Sequence, residues 1–201
     1  MADSRRTAMG RPREFDLDEA LESAMQVFWA RGYEGASLTD LTGAMGITKT
    51  SMYAAFGNKE QLFRKAVERY GEGPASYATS ALAEPTARAV AEAFLRGSAR
   101  TTTLPGSPSG CLTVQGALAT SAGSRPAHDM LVCWRNDVGV RLEERFQRAV
   151  ADGDLPPDAD PRRLARYIMT VGFGIAVQAA NGLDRDDLDD IADTAMRTWP
   201  L

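Results

Sequence analysis

Residues 37–56, SLTDLTGAMGITKTSMYAAF, carry the reading from which the rest of the chain follows. Ser37 with Asp40 three residues on is a capping pattern that opens a short helix ending near Gly46. Thr48 caps a second helix that runs through about Ala55. Helices of about two turns are unstable alone, so packing must hold both. Leu38, Leu41, Met45, Ile47, Met52 and Phe56 supply the apolar contacts, and small Ala44 is expected where the helices cross. Gly46 permits the positive φ that a tight turn demands. This is the construction of a helix-turn-helix.

With Met52 and Phe56 turned inward, the outer face of the second helix shows Lys49, Thr50 and Tyr53. A lysine reaches guanine O6/N7, a threonine meets a base edge or a thymine methyl, and a tyrosine donates to phosphate. Thr48 and Ser51 flank them with hydroxyls suited to backbone phosphates. Lys59, in the first turn of the next helix, opposes its own helix dipole by roughly a few tenths of a kcal/mol. A phosphate opposite it would offset that cost. The same two helices also suit an ordinary bundle with Lys49 merely solvated, and spacing alone leaves both readings open.

Outward from this stretch, helical periodicity continues in both directions. Asp16 with Glu19 caps a helix whose Leu17, Leu21, Ala24 and Phe28 share a face, and Gly32 and Gly35 stop it. Asn58 with Gln61 caps another, striped by Leu62, Ala66 and Tyr70 with Phe63 and Val67 alongside. Gly71, Gly73 and Pro74 bend or end it. Further helices are expected over 86–103, 110–121, 127–151, 161–181 and 185–199, the fourth of these opened by Asp160–Pro161. No alternating run bounded by turn residues is found. The expected fold is all-α, with about nine helices, an N-terminal helix-turn-helix domain and a C-terminal helical domain.

Composition narrows the partners. The 201 residues are 44% hydrophobic and 25% charged, with a net charge of −4, which excludes a uniformly basic nucleic-acid coat. Only the N-terminal arm is locally basic, with Arg5, Arg6, Arg11 and Arg13 against Asp3. Two cysteines and one histidine exclude a disulfide framework and a Cys/His zinc site, so no metal or cofactor is expected. The longest apolar stretch, Ile168 to Ala180, is interrupted by Gln178 and falls short of the roughly 20 residues that span a bilayer. No apolar run follows the N-terminal arginines, so a cytoplasmic protein with no membrane partner is expected.

Residues 13–63 resemble the N-terminal domain of the tetracycline-repressor (TetR) family of transcriptional regulators. The resemblance rests on Phe28-x-x-x-Gly32-Tyr33, Leu41-x-x-x-x-Gly46-Ile47-Thr48, Met52-Tyr53-x-x-Phe56 and Asn58-Lys59-x-x-Leu62. It implies a homodimeric, ligand-responsive regulator that binds palindromic double-stranded operator DNA and is released by a small-molecule effector. By position, base reading falls on Lys49 and Thr50, with Thr39 beside them. Phosphate contacts fall on Thr48, Ser51, Tyr53 and Lys59. Many members carry His or Tyr just before the final Phe, where this chain has Ala55. The arm, with Arg11 and Arg13, would replace that contact, because such arms enter an adjacent minor groove. The division expected is an arm over 1–13, a DNA-binding domain over 14–60, and a ligand-binding and dimerisation domain over 61–201.

The later residues are read from their chemistry. Gln115, Trp134, Phe94, Met130, Phe173 and Tyr77 are candidates for the effector pocket, being large or polarisable, or in the case of Gln115 an amide within an apolar run. Gly172, Gly174, Ala176, Ala179 and Ala180 let helices approach closely, so the helix over 161–181 is assigned to the dimer face. Leu188, Ile191, Ala195 and Trp199 of the last helix are expected to join it. A thiol-based redox sensor on the same scaffold is an alternative, with Cys111 at a helix start and Cys133 on a later helix. A helical enzyme or carrier is the competing class. No nucleophile–base pair or phosphate-cradling glycine loop supports it, and Glu143–Glu144 reads as a solvated face. The chain is therefore not expected to be an enzyme.

Overall fold

Asp16 opens the first helix by accepting the backbone N–H groups of Asp18 (2.7 Å) and Glu19 (3.2 Å). From there the computed structural model describes residues 15–118 and 121–199. The basic arm, including Arg11 and Arg13, lies outside the described residues. Ten α-helices and no strand occur among the described residues. They are α1 (Leu17–Gly35), α2 (Leu38–Met45), α3 (Lys49–Phe56), α4 (Lys59–Glu72) and α5 (Tyr77–Ser80), followed by α6 (Ala87–Thr102), α7 (Leu112–Gln115), α8 (Arg125–Ala151), α9 (Pro161–Ala180) and α10 (Arg185–Arg197).

Two departures from the expected helices have local causes. The break at Gly73–Pro74 leads into a 3₁₀ turn and then α5, a single turn too short to show a periodicity. Of the helix expected over 110–121, only Leu112–Gln115 is helical among the described residues. The carbonyl of Gly116 is instead turned to accept the backbone N–H of Tyr33, at 2.7 Å.

The helices enclose two cores. In the first, Phe28 meets Phe63 edge-on at 4.9 Å, and Trp29 meets Tyr70 edge-on at 4.8 Å. Such aromatic pairs add stability beyond their buried area. The inner face of α4 (Leu62, Phe63, Ala66, Val67, Tyr70) belongs to this core, which continues into Leu112 and Leu131 of α7 and α8. Residue 60, where a boundary was expected, thus lies in the first turn of a helix that packs back onto α1. The second core joins α6, α8, α9 and α10, with Phe146 edge-on to Trp199 at 5.4 Å.

This second core takes in some of the residues expected at the dimer face, while Ile191 of α10 stays half-buried beside Tyr167, Val171 and Thr194 on an open groove. Leu188, Ala195 and Trp199 are buried within the protomer, because α10 packs its apolar stripe onto α6 and α9. Arg96 of α6 ties α10 down through Asp189 (3.6 Å) and Asp193 (2.6 Å). Gly172, Ala176 and Ala179 are likewise buried inside the protomer, whereas Gly174 and Ala180 are exposed. The large apolar side chains left open on these long helices are Val140 of α8 and Tyr167 and Val177 of α9. Among the described residues, no helix is long and apolar enough to cross a membrane.

Candidate nucleic-acid interface and inner cavity

The turn that presents α3 is built by short-range chemistry. Ser37 Oγ accepts the Asp40 N–H, and the Asp40 carboxylate accepts the Ser37 N–H, both at 3.0 Å. That closed capping box starts α2. The Ser37 hydrogen bonds, with Arg31 at 2.6 Å, hold the Asp40 carboxyl below its usual range. At the other end, Gly46 takes left-handed geometry (φ 65°, ψ 26°), which lets the Ile47 N–H return to the Thr42 carbonyl at 3.1 Å. A side chain would strain that backbone, so glycine suits the place.

Thr48 Oγ1 then accepts the Ser51 N–H at 3.1 Å and starts α3. Leu41, Met45, Met52 and Phe56 are buried, with Leu38 and Ile47 packed against them. Ala44 is exposed, not at the crossing; the larger Leu41 and Met45 fill that space. Lys49, Thr50 and Tyr53 all stand exposed, with Tyr53 49% accessible. One helix of two turns, fixed at its base, therefore offers an ammonium, a hydroxyl and a phenol on one surface. Thr48 is exposed beside them, its hydroxyl 3.0 Å from that of half-buried Ser51.

Thr39 is exposed on α2. Lys59 stands half-buried in the first turn of α4. Its ammonium sits 4.5 Å from the centre of the Tyr33 ring, a cation–π contact. Burial pushes its pKa down, and the neighbouring Glu34 opposes that shift. The offset expected from a phosphate is thus partly supplied from within the protein, by a ring whose proximity no sequence spacing revealed.

A narrow cavity with room for about one water molecule, roughly 10 Å³, lies where α5, α6, α7, α8 and α9 meet. Four expected pocket residues, Tyr77, Phe94, Trp134 and Phe173, line it. Two do not. Gln115 folds back so that its Oε1 accepts the Cys111 N–H at 3.2 Å, which satisfies the amide oxygen locally. Met130 packs half-buried against the first core. Sequence reasoning missed Ser98 and Thr113, and it treated Cys111 as a redox candidate without placing it in the cavity wall. The hydroxyl of Ser98, four residues after Phe94 and so on the same helix face, was a usable signal. Cys111 and Thr113 carried none, because α7 has no pattern of its own.

The cavity wall is also what holds the N-terminal helices. Trp29 Nε1 donates to the Gly110 carbonyl at 2.9 Å, and the Tyr70 hydroxyl donates to Cys111 Sγ at 3.4 Å. With the Tyr33–Gly116 bond, three hydrogen bonds from α1 and α4 grip the single segment 110–116. Gly32 makes the third of these reachable. It leaves helical geometry (φ 67°, ψ 177°), and a Cβ there would stand 3.1 Å from the Gly116 carbonyl oxygen. Gly32→Ala is therefore expected to cost roughly 1–3 kcal/mol, read as a lowered denaturant midpoint. A midpoint equal to the parent's would contradict the close approach.

A fourth tie is pH-dependent. Glu34 accepts the Ser121 N–H, and its hydrogen bonds to Ser121, reinforced by Ser124, lower its pKa from the ordinary 4.5 to about 2. A carboxyl depressed in the folded state stabilises fully above its unfolded pKa. That contribution is lost as pH falls from about 4.5 through about 2. Carbon-13 NMR titration should place the Glu34 midpoint near 2. A midpoint at the ordinary value would show that the tie does not form.

A capped turn, an exposed reading helix and a helical body hung from a cavity wall define a helix-turn-helix transcriptional regulator. Comparison with known proteins gives the family. "Bacterial regulatory proteins, tetR family" matches residues 20–66, and "Tetracyclin repressor-like, C-terminal domain" matches residues 83–196. The HTH-type transcriptional repressor ComR of Escherichia coli (strain K12) is 32% identical over 193 residues, 95% of this chain and 92% of that one. A cysteine mutant of the TetR family transcriptional regulator CifR, complexed with 26 bp double-strand operator DNA, is 43% identical with a TM-score of 0.91. That match covers 95% of this chain and 100% of CifR. A TetR regulator from Rhodococcus sp. RHA1 is 40% identical with a TM-score of 0.62, covering 92% of this chain and 99% of that one. This chain belongs to the TetR family and is a DNA-binding transcriptional regulator.

Proposed function

We propose that the chain is a homodimeric repressor that reads a palindromic operator with α3 and is released by a small molecule in the inner cavity. The observation that carries this reading is the joint exposure of Lys49, Thr50 and Tyr53 on a helix whose opposite face is buried. Lys49 and Thr50 read base edges, with Thr39 of α2 alongside, while Thr48, Ser51, Tyr53 and Lys59 meet phosphates. Arg11 and Arg13 of the basic arm add contacts in the neighbouring groove. Release runs through the segment 110–116, which touches both the cavity and α1. ComR is by name a repressor, and CifR was captured on its operator, which supports the same role here.

The dimer face is assigned to the exposed sides of α9 and α10, where Tyr167, Val171, Ile191 and Thr194 line an open groove. A dimer whose two α3 helices stand about 34 Å apart would fit successive major grooves. Operator selection from random duplexes, followed by footprinting, tests this. Two related half-sites about one helical turn apart are expected, with affinity falling steeply with salt. A single unrepeated footprint would contradict the dimeric reading.

A thiol-sensing version of the same regulator would use Cys111, whose sulfur faces the cavity. Against direct oxidation stands its burial, at 5% accessible. Peroxide-driven operator release that is lost in Cys111→Ser would favour that version.

A further inference from the structure

We propose that the inner cavity selects a small, uncharged, largely apolar effector, and rejects carboxylates and ammonium ions of the same size. This deepens the effector-released reading and rests on it. The cavity wall is built from the rings of Tyr77, Phe94, Trp134 and Phe173 with aliphatic groups between them. Three of its polar members already have protein partners. Ser98 donates to the Gly172 carbonyl at 3.2 Å, and Cys111 Sγ lies 3.1 Å from Thr113 Oγ1. An ion entering here would give up its hydration in a wall that no charged side chain lines, an unfavourable exchange.

The charged groups around the cavity bear this out. Arg135 is the nearby cation; its Nη1 donates to the Thr113 carbonyl at 2.6 Å, and its side chain lines an outer groove between α8 and α9 and not the cavity. Glu143 lines that same outer groove and not the cavity. Tyr77 is kept neutral, since burial pushes its hydroxyl well above the ordinary value, and Tyr70 behind Cys111 is kept neutral in the same way.

Size and coupling follow from the same wall. As it stands the cavity has room for the centre of about one water molecule, roughly 10 Å³. A one-ring guest must therefore displace side chains. Tyr77, Trp134 and Phe173 are the half-buried rings, and each packs against both cores. Moving them pushes on the second core and on the first, which includes α7 and the helices that carry α3. A guest that fits thus has a mechanical route to the reading helix.

The test uses the full-length protein and its selected operator duplex, with toluene and phenol as neutral probes and benzoate and benzylamine as charged ones. Toluene or phenol is expected to raise the thermal midpoint and to weaken operator binding by about 5- to 150-fold, the usual range of such coupling. Benzoate and benzylamine at equal concentration should do neither. Ala176→Leu and Ser98→Leu each fill the cavity, and whichever still binds operator should ignore toluene. A charged probe that acts as strongly as toluene overturns the proposal. So does a protein that binds its operator and responds to none of the four, a result that leaves the regulator reading standing. A protein that binds no operator sinks the regulator reading instead, while the thermal midpoints still report on the cavity.

Discussion

A protein carrying Lys49→Ala, Thr50→Ala and Tyr53→Ala together is expected to lose at least about 100-fold in operator affinity while keeping its thermal midpoint. Each good base contact is worth about 1–3 kcal/mol of discrimination, and tyrosine supplies a further phosphate contact. The three side chains are exposed on α3, so removing them opens no cavity. Alanine also keeps the helix, being the strongest helix former. Mobility-shift titration and differential scanning calorimetry on the same preparation separate the two quantities. Intact binding, or a collapse of the fold, would each remove α3 from the role given to it.

The second large effect lies behind that surface. Phe63 is fully buried, edge-on to Phe28 at 4.9 Å and 5.0 Å from Tyr33. Phe63→Ala is expected to cost about 3–5 kcal/mol, through lost transfer energy and the cavity left behind. A domain of ordinary stability has only about 5–15 kcal/mol to lose. Because Tyr33 also carries Lys59 on its face, the loss should loosen the first turn of α4 as well. Chemical denaturation reads the first effect, and hydrogen exchange at Gln61 and Leu62 reads the second. A loss below about 1 kcal/mol would mean that the pocket collapses around the gap.

What could be read from the chain beforehand divides along a physical line. The capping boxes at Ser37–Asp40 and Asn58–Gln61, the left-handed Gly46 and the outward trio on α3 depend on residues within a few positions of one another. Local chemistry decides them, and the structure shows each one. Gly32 was legible as a break but not as a docking point, because its partner, Gly116, is 84 residues away. The amphipathic stripe of α10 announced burial without saying against what; its own protomer claims it. Gln115 was legible as an amide needing a partner, yet the backbone N–H it found depends on the loop geometry around α7. Cys111 in the cavity wall is likewise a product of tertiary packing.

Base reading by α3 is the centre of the proposed function, so the side-chain role of Lys49 is its most direct test. Affinities of the parent and of Lys49→Ala should be measured on the selected operator and on each single base-pair variant of one half-site. Base reading predicts that Lys49→Ala loses discrimination at one position and leaves the penalties at the others unchanged. Equal weakening across all sequences, or an unchanged profile, would contradict it.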